Sequence, residues 1–333
     1  MGMLVEGTWV SDAAYAEKSD GRFVRWSSTF RNWITPDGGA GPGRQAGFKA
    51  EPDRYHLYIS LACPWAHRTL IVRRLKGLED IIGLSVVQSL MGEDGWVFGD
   101  EPGAIPDTVN GARKLSELYV RADPQFTGRV TVPILWDRRQ NTIVNNESAD
   151  IIRIFNSAFD GIAGVRPLDL YPEPLRGEID DINAIVYEAI NNGVYRAGFA
   201  TTQAAYDEAV TILFDALDRI EERLGSQRYL VGDQLTEADW RLFTTLIRFD
   251  PVYHGHFKCN IRALREYPNL WNYLRDLYQV PGISDLVNMA HIKAHYYASH
   301  RHINPAGIIP AGPDIDLAAP HDRDRFTPNR ASG

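Results

Sequence analysis

The alternation of apolar and polar positions divides the chain into two parts with different patterns. Short apolar runs of strand length come first, namely YHLYIS at 55–60, IIGLSVV at 81–87, VTVPILW at 130–136 and NTIVN at 141–145. From about residue 175 the apolar residues instead recur at helical spacing, in segments such as IDDINAIVYEAI, YDEAVTILFDALDRIEERL, TEADWRLFTTLIRF and LREYPNLWNYLRDLY. The pattern therefore predicts an α/β region followed by an all-helical region.

Helices are also predicted among the strands of the first part. The spacing of apolar residues from Pro64 to Lys76 predicts a helix after the first strand, with Gly77 at its end. Another helix is predicted near Glu147, after the two strands that flank DRRQ. The order strand–helix–strand, then helix–strand–strand–helix, is typical of the thioredoxin fold. The fold class that we expect is thus a thioredoxin-like α/β domain followed by an all-α domain.

These patterns suggest where the domains begin and end. Residues 1–50 look irregular, and the glycines of GGAGPGRQAG within them indicate a flexible connection rather than a phosphate loop, because no strand precedes them and no Gly-Lys-Ser/Thr follows. Thr236 and Asp239 predict a capping box in the helical part. The expected division is an N-terminal extension at 1–50, a thioredoxin-like domain at 51–160 with a long insertion at 88–112, an all-helical domain at 175–299 and a loosely packed tail at 300–333.

Composition and charge narrow the class of protein. The chain has 333 residues, of which 44% are hydrophobic and 23% charged, enough for two ordinary globular domains. A formal net charge of -8 argues against non-specific nucleic-acid binding. We find no apolar stretch of membrane-spanning length and no signal-peptide core in the first 25 residues. With two cysteines the chain is not a disulfide-built fold, and we expect a cytoplasmic protein that binds neither nucleic acid nor membrane.

The most informative residue is Cys63, in the stretch SLACPWAHR. It follows a buried strand and begins a helix, where unpaired backbone N–H groups and the helix dipole favour a thiolate. Cysteines at such positions reach pKa values of about 3.5–7, against about 8.5 for the free thiol. Ala66 stands where a redox protein with two thiols would have its second cysteine, so the resolving thiol must come from elsewhere. An inert buried cysteine is the alternative.

Other candidate residues have weaker support. Cys259 lies in GHFKCNIRAL, which gives no sign of reactivity and predicts a small core or surface residue. The pairs His291/His295 and His254/His256 have spacings that could serve a metal, but cysteine or acidic partners at ligand spacing are missing, so we expect no metal site. The tyrosines near these histidines are, by default, half-buried structural aromatics (Tyr253, Tyr296 and Tyr297). Tyr195, in NNGVYRAGF, lies just beyond a predicted helix terminus, from which its phenol could project into a cleft.

Five blocks together resemble the glutathionyl-hydroquinone reductases, the Xi class of glutathione transferases. These are CPWAHR at 63–68, GRVTVPILWD at 128–137, NNES at 145–148, NNGVYRAGFA at 191–200 and LTEADWRLF at 235–243. The resemblance covers about residues 20–300, with the order and spacing of all five blocks. It implies an N-terminal thioredoxin-like domain that binds glutathione, an all-helical C-terminal domain and a homodimer, with no permanently bound cofactor.

The resemblance also implies roles for individual residues. The family's nucleophile matches Cys63, its catalytic tyrosine matches Tyr195, and two further active-site tyrosines match Tyr253 and Tyr296. Pro133 would be the cis-proline of the thioredoxin fold, and free N–H groups at the helix that Glu147 and Ser148 begin would hold the γ-glutamyl carboxylate. The residues implied to contact glutathione are Trp96, Arg129, Val130, Thr131, Val132, Glu147 and Ser148.

The implied reaction removes glutathione from a glutathionyl-hydroquinone, with Cys63 as a transient mixed disulfide and a second glutathione as the resolving thiol. A neighbouring enzyme class is the nearest alternative, namely an omega- or lambda-type cysteine transferase that acts as a dehydroascorbate reductase or deglutathionylase. Such an enzyme would share Cys63 but would not require Tyr195 or the insertion that carries Trp96. A non-catalytic scaffold or a membrane-inserting relative is a further alternative, but these would bring partner domains or an apolar insertion segment.

Overall fold

The computed structural model describes residues 2–11, 18–43 and 45–326. The expected extension at 1–50 therefore includes positions outside the described residues, as do the last seven residues of the expected tail. The chain forms two compact units: the first comprises Met1–Glu17, Arg25–Asp169 and Leu286–Ile309, and the second comprises Lys18–Val24, Leu170–Asp285 and Pro310–Gly333. The domain boundaries expected from the sequence stay predictions. Leu286–Ile309, which the expected boundaries assign to the helical domain and the tail, belongs to the first unit.

The first unit is built on a four-stranded mixed sheet, in which the strands lie in the order β10 (Thr142–Asn145), β9 (Ile134–Asp137), β7 (Tyr55–Ile59) and β8 (Ile82–Val86). The central strand β7 is parallel to β8 and antiparallel to β9, which in turn is antiparallel to β10. All five residues of β7 are buried, which explains its uninterrupted apolar and aromatic sequence. The elements of this core are β7 Tyr55–Ile59, α1 Pro64–Leu75, β8 Ile82–Val86, α2 Leu115–Ala122, β9 Ile134–Asp137, β10 Thr142–Asn145 and α3 Ser148–Ser157.

Most of the predicted elements of this unit are present, with one correction. Helix α1 begins at Pro64, and Gly77 follows its end with φ of +69°, a conformation that favours glycine. The predicted strand at 130–136 is wrong in its first half, since β9 begins only at Ile134. In the part before Ile134, the backbone of Thr131 bonds to a side chain instead of a strand partner. The Tyr119 hydroxyl donates to the Thr131 carbonyl and accepts from the Thr131 N–H.

The N-terminal region is more ordered than its sequence suggests. Its strands are very short and pair locally: β1 Met3–Val5 with β2 Thr8–Val10, β3 Lys18–Ser19 with β4 Arg22–Phe23, and β5 Trp33–Thr35 with β6 Gly47–Lys49. The prediction of an irregular region is therefore wrong at these short strands, while the other described residues up to 50 lie in turns, bends, an isolated bridge or coil. Strands of two or three residues are too short for an alternating pattern to be recognised.

The insertion at 88–112 is held by backbone pairing at both ends. Val86 and Ile105 exchange hydrogen bonds of 2.9 Å, and the N–H of Gln88 donates to the carbonyl of Val97. The carboxylate of Asp107 accepts from three backbone N–H groups and from the Tyr58 hydroxyl. The insertion thus has a defined path although it contains no helix or long strand.

The second unit is helical, and its helices carry the candidate tyrosines Tyr195 and Tyr253. Thr236 and Asp239 form the predicted capping box at the start of α7 (Glu237–Arg248). The helices are α4 Arg176–Ile185, α5 Gly193–Gly198, α6 Gln203–Leu224, α7 Glu237–Arg248, α8 His254–His256 and α9 Pro268–Tyr278, and α10 Met289–Ala294 follows in the segment that joins the first unit.

The C-terminal region, expected to be loosely packed, is anchored to the second unit at Arg323. Arg323 is fully buried, and its guanidinium donates to the carbonyls of Leu224, Gln227 and Arg228, at the end of α6 and just beyond it. A cation at a helix C-terminus is favourable, and this one also donates hydrogen bonds to carbonyls at and beyond the end of the helix. Among the described residues, no helix is both long and apolar enough to cross a membrane.

Candidate active site

Cys63 occupies the N-cap position of α1, with extended backbone angles (φ −76°, ψ 121°). Its side chain is half-buried, and its Sγ lies 3.6 Å from the carbonyl oxygen of Val132, to which the thiol donates. Ala66, one turn later, is fully buried. The position that would carry a second thiol therefore faces the core, while Cys63 keeps partial access to solvent.

Positive charge lies beside the first turns of α1. The guanidinium groups of Arg25 and Arg68 are 4.7 and 4.8 Å from the centre of the Trp65 ring. Arg68 is almost completely buried. Two cations held on the ring that follows Pro64 favour a thiolate or an anionic ligand near the start of this helix.

The stretch from Arg129 to Val132 is fixed by contacts that the sequence did not reveal. The Val132–Pro133 peptide bond is cis, as expected. The buried Tyr119 hydroxyl bonds to both backbone groups of Thr131, at 3.0 and 3.2 Å, and accepts from the Asn146 side chain at 3.1 Å. Burial raises the pKa of Tyr119, so the phenol stays protonated and keeps its donor. A tyrosine on a helix is most simply explained as a core residue, so no pattern in the sequence pointed to this role.

Glu147 and Ser148 lie at the start of α3, where Glu147 is the N-cap residue. The Glu147 carboxylate accepts from the backbone N–H of Ala149 and from the hydroxyl of Ser28, both at 3.0 Å. This N–H group is therefore already bonded to Glu147, an arrangement that the expectation of free N–H groups did not include. The carboxylate remains half-buried at the helix N-terminus, close to groups that carry partial positive charge.

An ion pair between the exposed Arg31 and the buried Asp150 supports this corner of the unit. Asp150 in the first turn of α3 receives two hydrogen bonds from Arg31 and one of 3.1 Å from Asn145. Asn145 also accepts from the N–H of Glu147 at 2.7 Å. Arg31 lies in an N-terminal region whose sequence looks irregular, so local pattern does not predict this support.

Trp96 of the insertion is buried and stacks on His295, with ring centres 4.7 Å apart and planes inclined by 23°. Tyr296, the next residue, is also buried in the first unit and contacts His295 edge to face at 5.3 Å. His291 lies 3.2 Å from Glu101 and 2.7 Å from the carbonyl of Pro102. The structure therefore brings Trp96 and Tyr296 together through His295.

The N-terminal hairpin of β1 and β2 reaches both of the stretches expected to bind glutathione. The indole N–H of Trp9 donates to the Glu93 carbonyl at 2.8 Å, three residues before Trp96. Arg129 donates to the carbonyl of Gly2 at 2.9 Å and lies over Trp26. These N-terminal residues belong to the candidate site's surroundings, although their sequence gave no such signal.

Tyr195 and Tyr253 lie in the second unit and share one aromatic cluster. Their ring centres are 6.1 Å apart, and both contact Phe257, at 5.4 and 5.5 Å. Tyr195 also stacks on Phe23 of β4. Tyr195 is 6% exposed and Tyr253 is fully buried. Of the two, Tyr195 is therefore the better placed to contact a ligand through its phenol.

Three π-helical turns occur among the described residues, of which two contain a candidate tyrosine and the third ends shortly before the helix that carries one. Val186–Asn191 comes just before α5 with Tyr195, Phe249–Tyr253 ends at Tyr253, and His295–Ser299 contains Tyr296. Turns of this kind are rare and are frequent at functional sites. Their positions support a functional role for all three tyrosines.

The remaining candidates do not look reactive. Cys259 is fully buried in the second unit, within sulfur hydrogen-bonding distance of the carbonyls of Val194 and Phe257, and burial raises the pKa of its thiol. Within the described parts of the chain, no group of three or more His, Cys, Asp or Glu residues is placed to hold a metal ion. His291 and His295 instead contact the insertion.

Comparison with known proteins identifies the family. Residues 62–158 match the glutathione S-transferase N-terminal domain, and residues 203–276 match its C-terminal domain. The chain is 57% identical to glutathionyl-hydroquinone reductase YqjG of Escherichia coli, covering 97% of this chain and 99% of that protein. It is 55% identical to glutathionyl-hydroquinone reductase PcpF of Sphingobium chlorophenolicum, covering 94% and 96%.

Solved structures agree with this assignment and with the expected fold class. A glutathione-bound structure of the E. coli protein superposes with a TM-score of 0.90 at 55% identity, covering 97% of this chain and 99% of that one. A Xi-class transferase from Natrialba magadii gives a TM-score of 0.90 at 53% identity, covering 98% and 97%. With the family domains at both ends and this likeness over nearly the whole length, the chain belongs to the glutathionyl-hydroquinone reductases, the Xi class of the glutathione transferases.

Proposed function

We propose that this enzyme reduces glutathionyl-hydroquinones to hydroquinones with glutathione as co-substrate and oxidised glutathione as the second product. The observation that carries the proposal is Cys63, a half-buried thiol at the N-cap of α1 beside the Val132 carbonyl. Membership of the family supports the same reaction. An omega-type activity on dehydroascorbate would need the same thiol, so the experiment below compares the two substrates.

The first half-reaction breaks the carbon–sulfur bond of the substrate. Tyr195 donates a proton to the ring carbon that bears sulfur and regains one from a ring hydroxyl, which gives a keto form with a weakened bond to sulfur. The Cys63 thiolate attacks the glutathione sulfur, a sulfur–sulfur bond forms, and the electron pair of the broken carbon–sulfur bond returns to the ring as a phenolate. The ring carbon is reduced, Cys63 is oxidised to a mixed disulfide with glutathione, the phenolate oxygen takes a proton from water, and the free hydroquinone leaves.

The second half-reaction restores the thiol. A second glutathione thiolate attacks the glutathione sulfur of the mixed disulfide, and the Cys63 thiolate leaves as oxidised glutathione forms. An internal thiol at position 66 would compete for this disulfide. The burial of Ala66 supports a cycle with one protein thiol. Tyr253 and Tyr296 are proposed to hydrogen-bond the ring oxygens or the Cys63 sulfur.

Glutathione is proposed to bind along the first unit. Glutathione would contact Val130–Val132 and pair through its peptide groups with the backbone on either side of Thr131, whose own N–H and carbonyl are bonded to the Tyr119 hydroxyl. Glu147 and Ser148 at the start of α3 would hold the γ-glutamyl end, with Arg129 nearby and Trp96 as an apolar cover. We further propose that the enzyme is a cytoplasmic homodimer that needs no permanently bound cofactor.

The test compares turnover of a glutathionyl-hydroquinone plus glutathione with turnover of dehydroascorbate on one preparation. The first substrate should be strongly preferred, and Cys63→Ser should abolish its turnover because a serine hydroxyl is not ionised near neutral pH. Mass spectrometry of wild type given substrate without free glutathione should find one glutathione on Cys63, while Cys259→Ser behaves as wild type. Preferred turnover of dehydroascorbate, or attachment at Cys259, would contradict the proposal.

A further inference from the structure

Within the first unit, the segment Met289–Ser299 contacts the insertion at several points. His291 bonds the carbonyl of Pro102 at 2.7 Å, and the N–H of Met91 donates to the Ser299 hydroxyl at 3.0 Å. A Cβ built on Gly103 would lie 2.8 Å from the Asn288 side chain, so a larger residue at position 103 would require this side chain to shift. The insertion is therefore held against this segment at positions on both sides of Trp96.

His295 makes the central contacts of this arrangement. Its ring stacks on Trp96 at 4.7 Å, and its Nδ1 lies 3.2 Å from the carbonyl of Ser89. A carbonyl oxygen can only accept, so this contact requires the tautomer with hydrogen on Nδ1. One buried ring thus fixes both the start of the insertion and the indole in its middle.

The same residue also contacts the candidate tyrosine of this unit. Tyr296 meets His295 edge to face at 5.3 Å and His300 at 5.5 Å, and all three rings are buried. His295 and Tyr296 are the first two residues of a π-helical turn. The backbone geometry that directs Tyr296 is therefore the geometry that places His295 on Trp96.

We propose that His295 is a positioning residue that seats the Trp96 indole for glutathione and fixes Tyr296 in the same turn. This inference rests on the proposed function, in which Trp96 covers glutathione and Tyr296 serves the reaction. His295 itself acts only through these two side chains. Loss of the stack should weaken glutathione binding, and the loss should depend on the presence of Trp96.

The experiment measures the dissociation constant of glutathione by calorimetry in the full-length chain carrying Cys63→Ser, so that no mixed disulfide forms. His295→Asn keeps an N–H donor near the Ser89 carbonyl but removes the stack, and should weaken binding about tenfold. His295→Phe keeps a stacking ring and should stay within about threefold of the parent. Lys293→Gln, in the same segment, is the matched control and should leave binding unchanged.

A double-mutant cycle with Trp96→Leu decides whether His295 acts through the indole. If it does, His295→Asn should cause little further loss once Trp96 is absent. Additive losses, unchanged binding in His295→Asn, or weaker binding in His295→Phe than in His295→Asn would each overturn the inference. If His295→Asn does not fold, the glutathione affinity of His295→Phe still tests the inference. A tenfold loss of affinity in His295→Phe, which keeps a stacking ring, would contradict the stacking role.

Kinetics separate this inference from the proposed function. In the enzyme with Cys63 intact, His295→Asn should raise the KM for glutathione about tenfold and also lower kcat for the glutathionyl-hydroquinone, while His295→Phe should change both only slightly. A wild type that binds glutathione but does not turn over the hydroquinone conjugate would refute the proposed function, and the calorimetric cycle would still test His295. A changed KM with unchanged kcat in His295→Asn would overturn the link to Tyr296.

Discussion

Tyr119→Phe tests whether the expected glutathione-binding stretch is positioned by a side chain behind it. The variant keeps the ring on α2 and removes one hydroxyl that donates to the Thr131 carbonyl and accepts from the Thr131 N–H and from Asn146. Thr131 is exposed, so its backbone groups can turn to water, whereas Asn146 is buried and loses a partner. Leaving one buried donor unpaired costs about 1–3 kcal/mol.

The expected consequence for function follows from the freed backbone of Thr131. If glutathione pairs with the backbone on either side of Thr131, the loss of order in this stretch should weaken glutathione binding about tenfold, which corresponds to about 1.4 kcal/mol. The dissociation constant is measured by calorimetry and the thermal midpoint by differential scanning fluorimetry. The rate of the chemical step should change little, because Tyr119 contacts neither Cys63 nor the candidate tyrosines in the contacts described above.

Tyr55→Phe is the matched control for this experiment. Tyr55 is equally buried in the same unit, and its hydroxyl donates to the carbonyl of Lys49 rather than to the stretch at 129–132. This variant should lose stability without losing glutathione affinity. If both variants lose stability and neither loses affinity, Tyr119 is only a core residue and the positioning argument is refuted.

Two further predictions concern the chemistry and the acid limit of stability. Tyr195→Phe should lower glutathionyl-hydroquinone reduction by about 10²–10⁴-fold, as for loss of a general acid, yet leave glutathione disulfide substrates within a few-fold. Equal losses on both would show that Tyr195 serves Cys63 or the packing. Burial, with a smaller effect of Arg138, lowers the pKa of His56 from 6.5 to about 4. The unfolded chain therefore binds the proton first, and the free energy of unfolding should fall by about 3 kcal/mol as pH falls from 6.5 to 4. His56→Asn should flatten acid denaturation in that window, and an unchanged profile would contradict this.

Parts of the fold with local chemical signals could be predicted from the sequence. The start of α1 at Pro64, its end before Gly77 and the capping box at Thr236 each depend on a few adjacent residues, and all are present. The half-buried position of Cys63 follows from the same local logic. The strand predicted over 130–133 failed because a tertiary contact, the Tyr119 hydroxyl, bonds the backbone that a strand partner would otherwise take.

Features that depend on distant partners could not be predicted. Nothing in the sequence near Trp96 indicates that His295, about 200 positions later, stacks on it, and the spacing of His291 and His295 suggested a metal only as an alternative. Strands of two or three residues in the N-terminal region carry too little pattern to be recognised. The contact of Arg129 with Gly2 likewise joins two segments whose sequences give no sign of each other.

The π-helical turns have a consequence for how relatives of this chain are aligned. Such a turn closes its hydrogen bond over one residue more than an α-helical turn, so deletion of a single residue converts one into the other. The residues that follow keep their places on the helix, because the wide turn absorbs the extra residue that would otherwise rotate an α-helix of 3.6 residues per turn by about 100°. A one-residue gap within Val186–Asn191 would therefore leave Tyr195 on the same face of its helix, whereas the loss of one residue from an α-helical turn would move it. A tyrosine aligned across a gap in the wide turn is matched in space as well as in sequence.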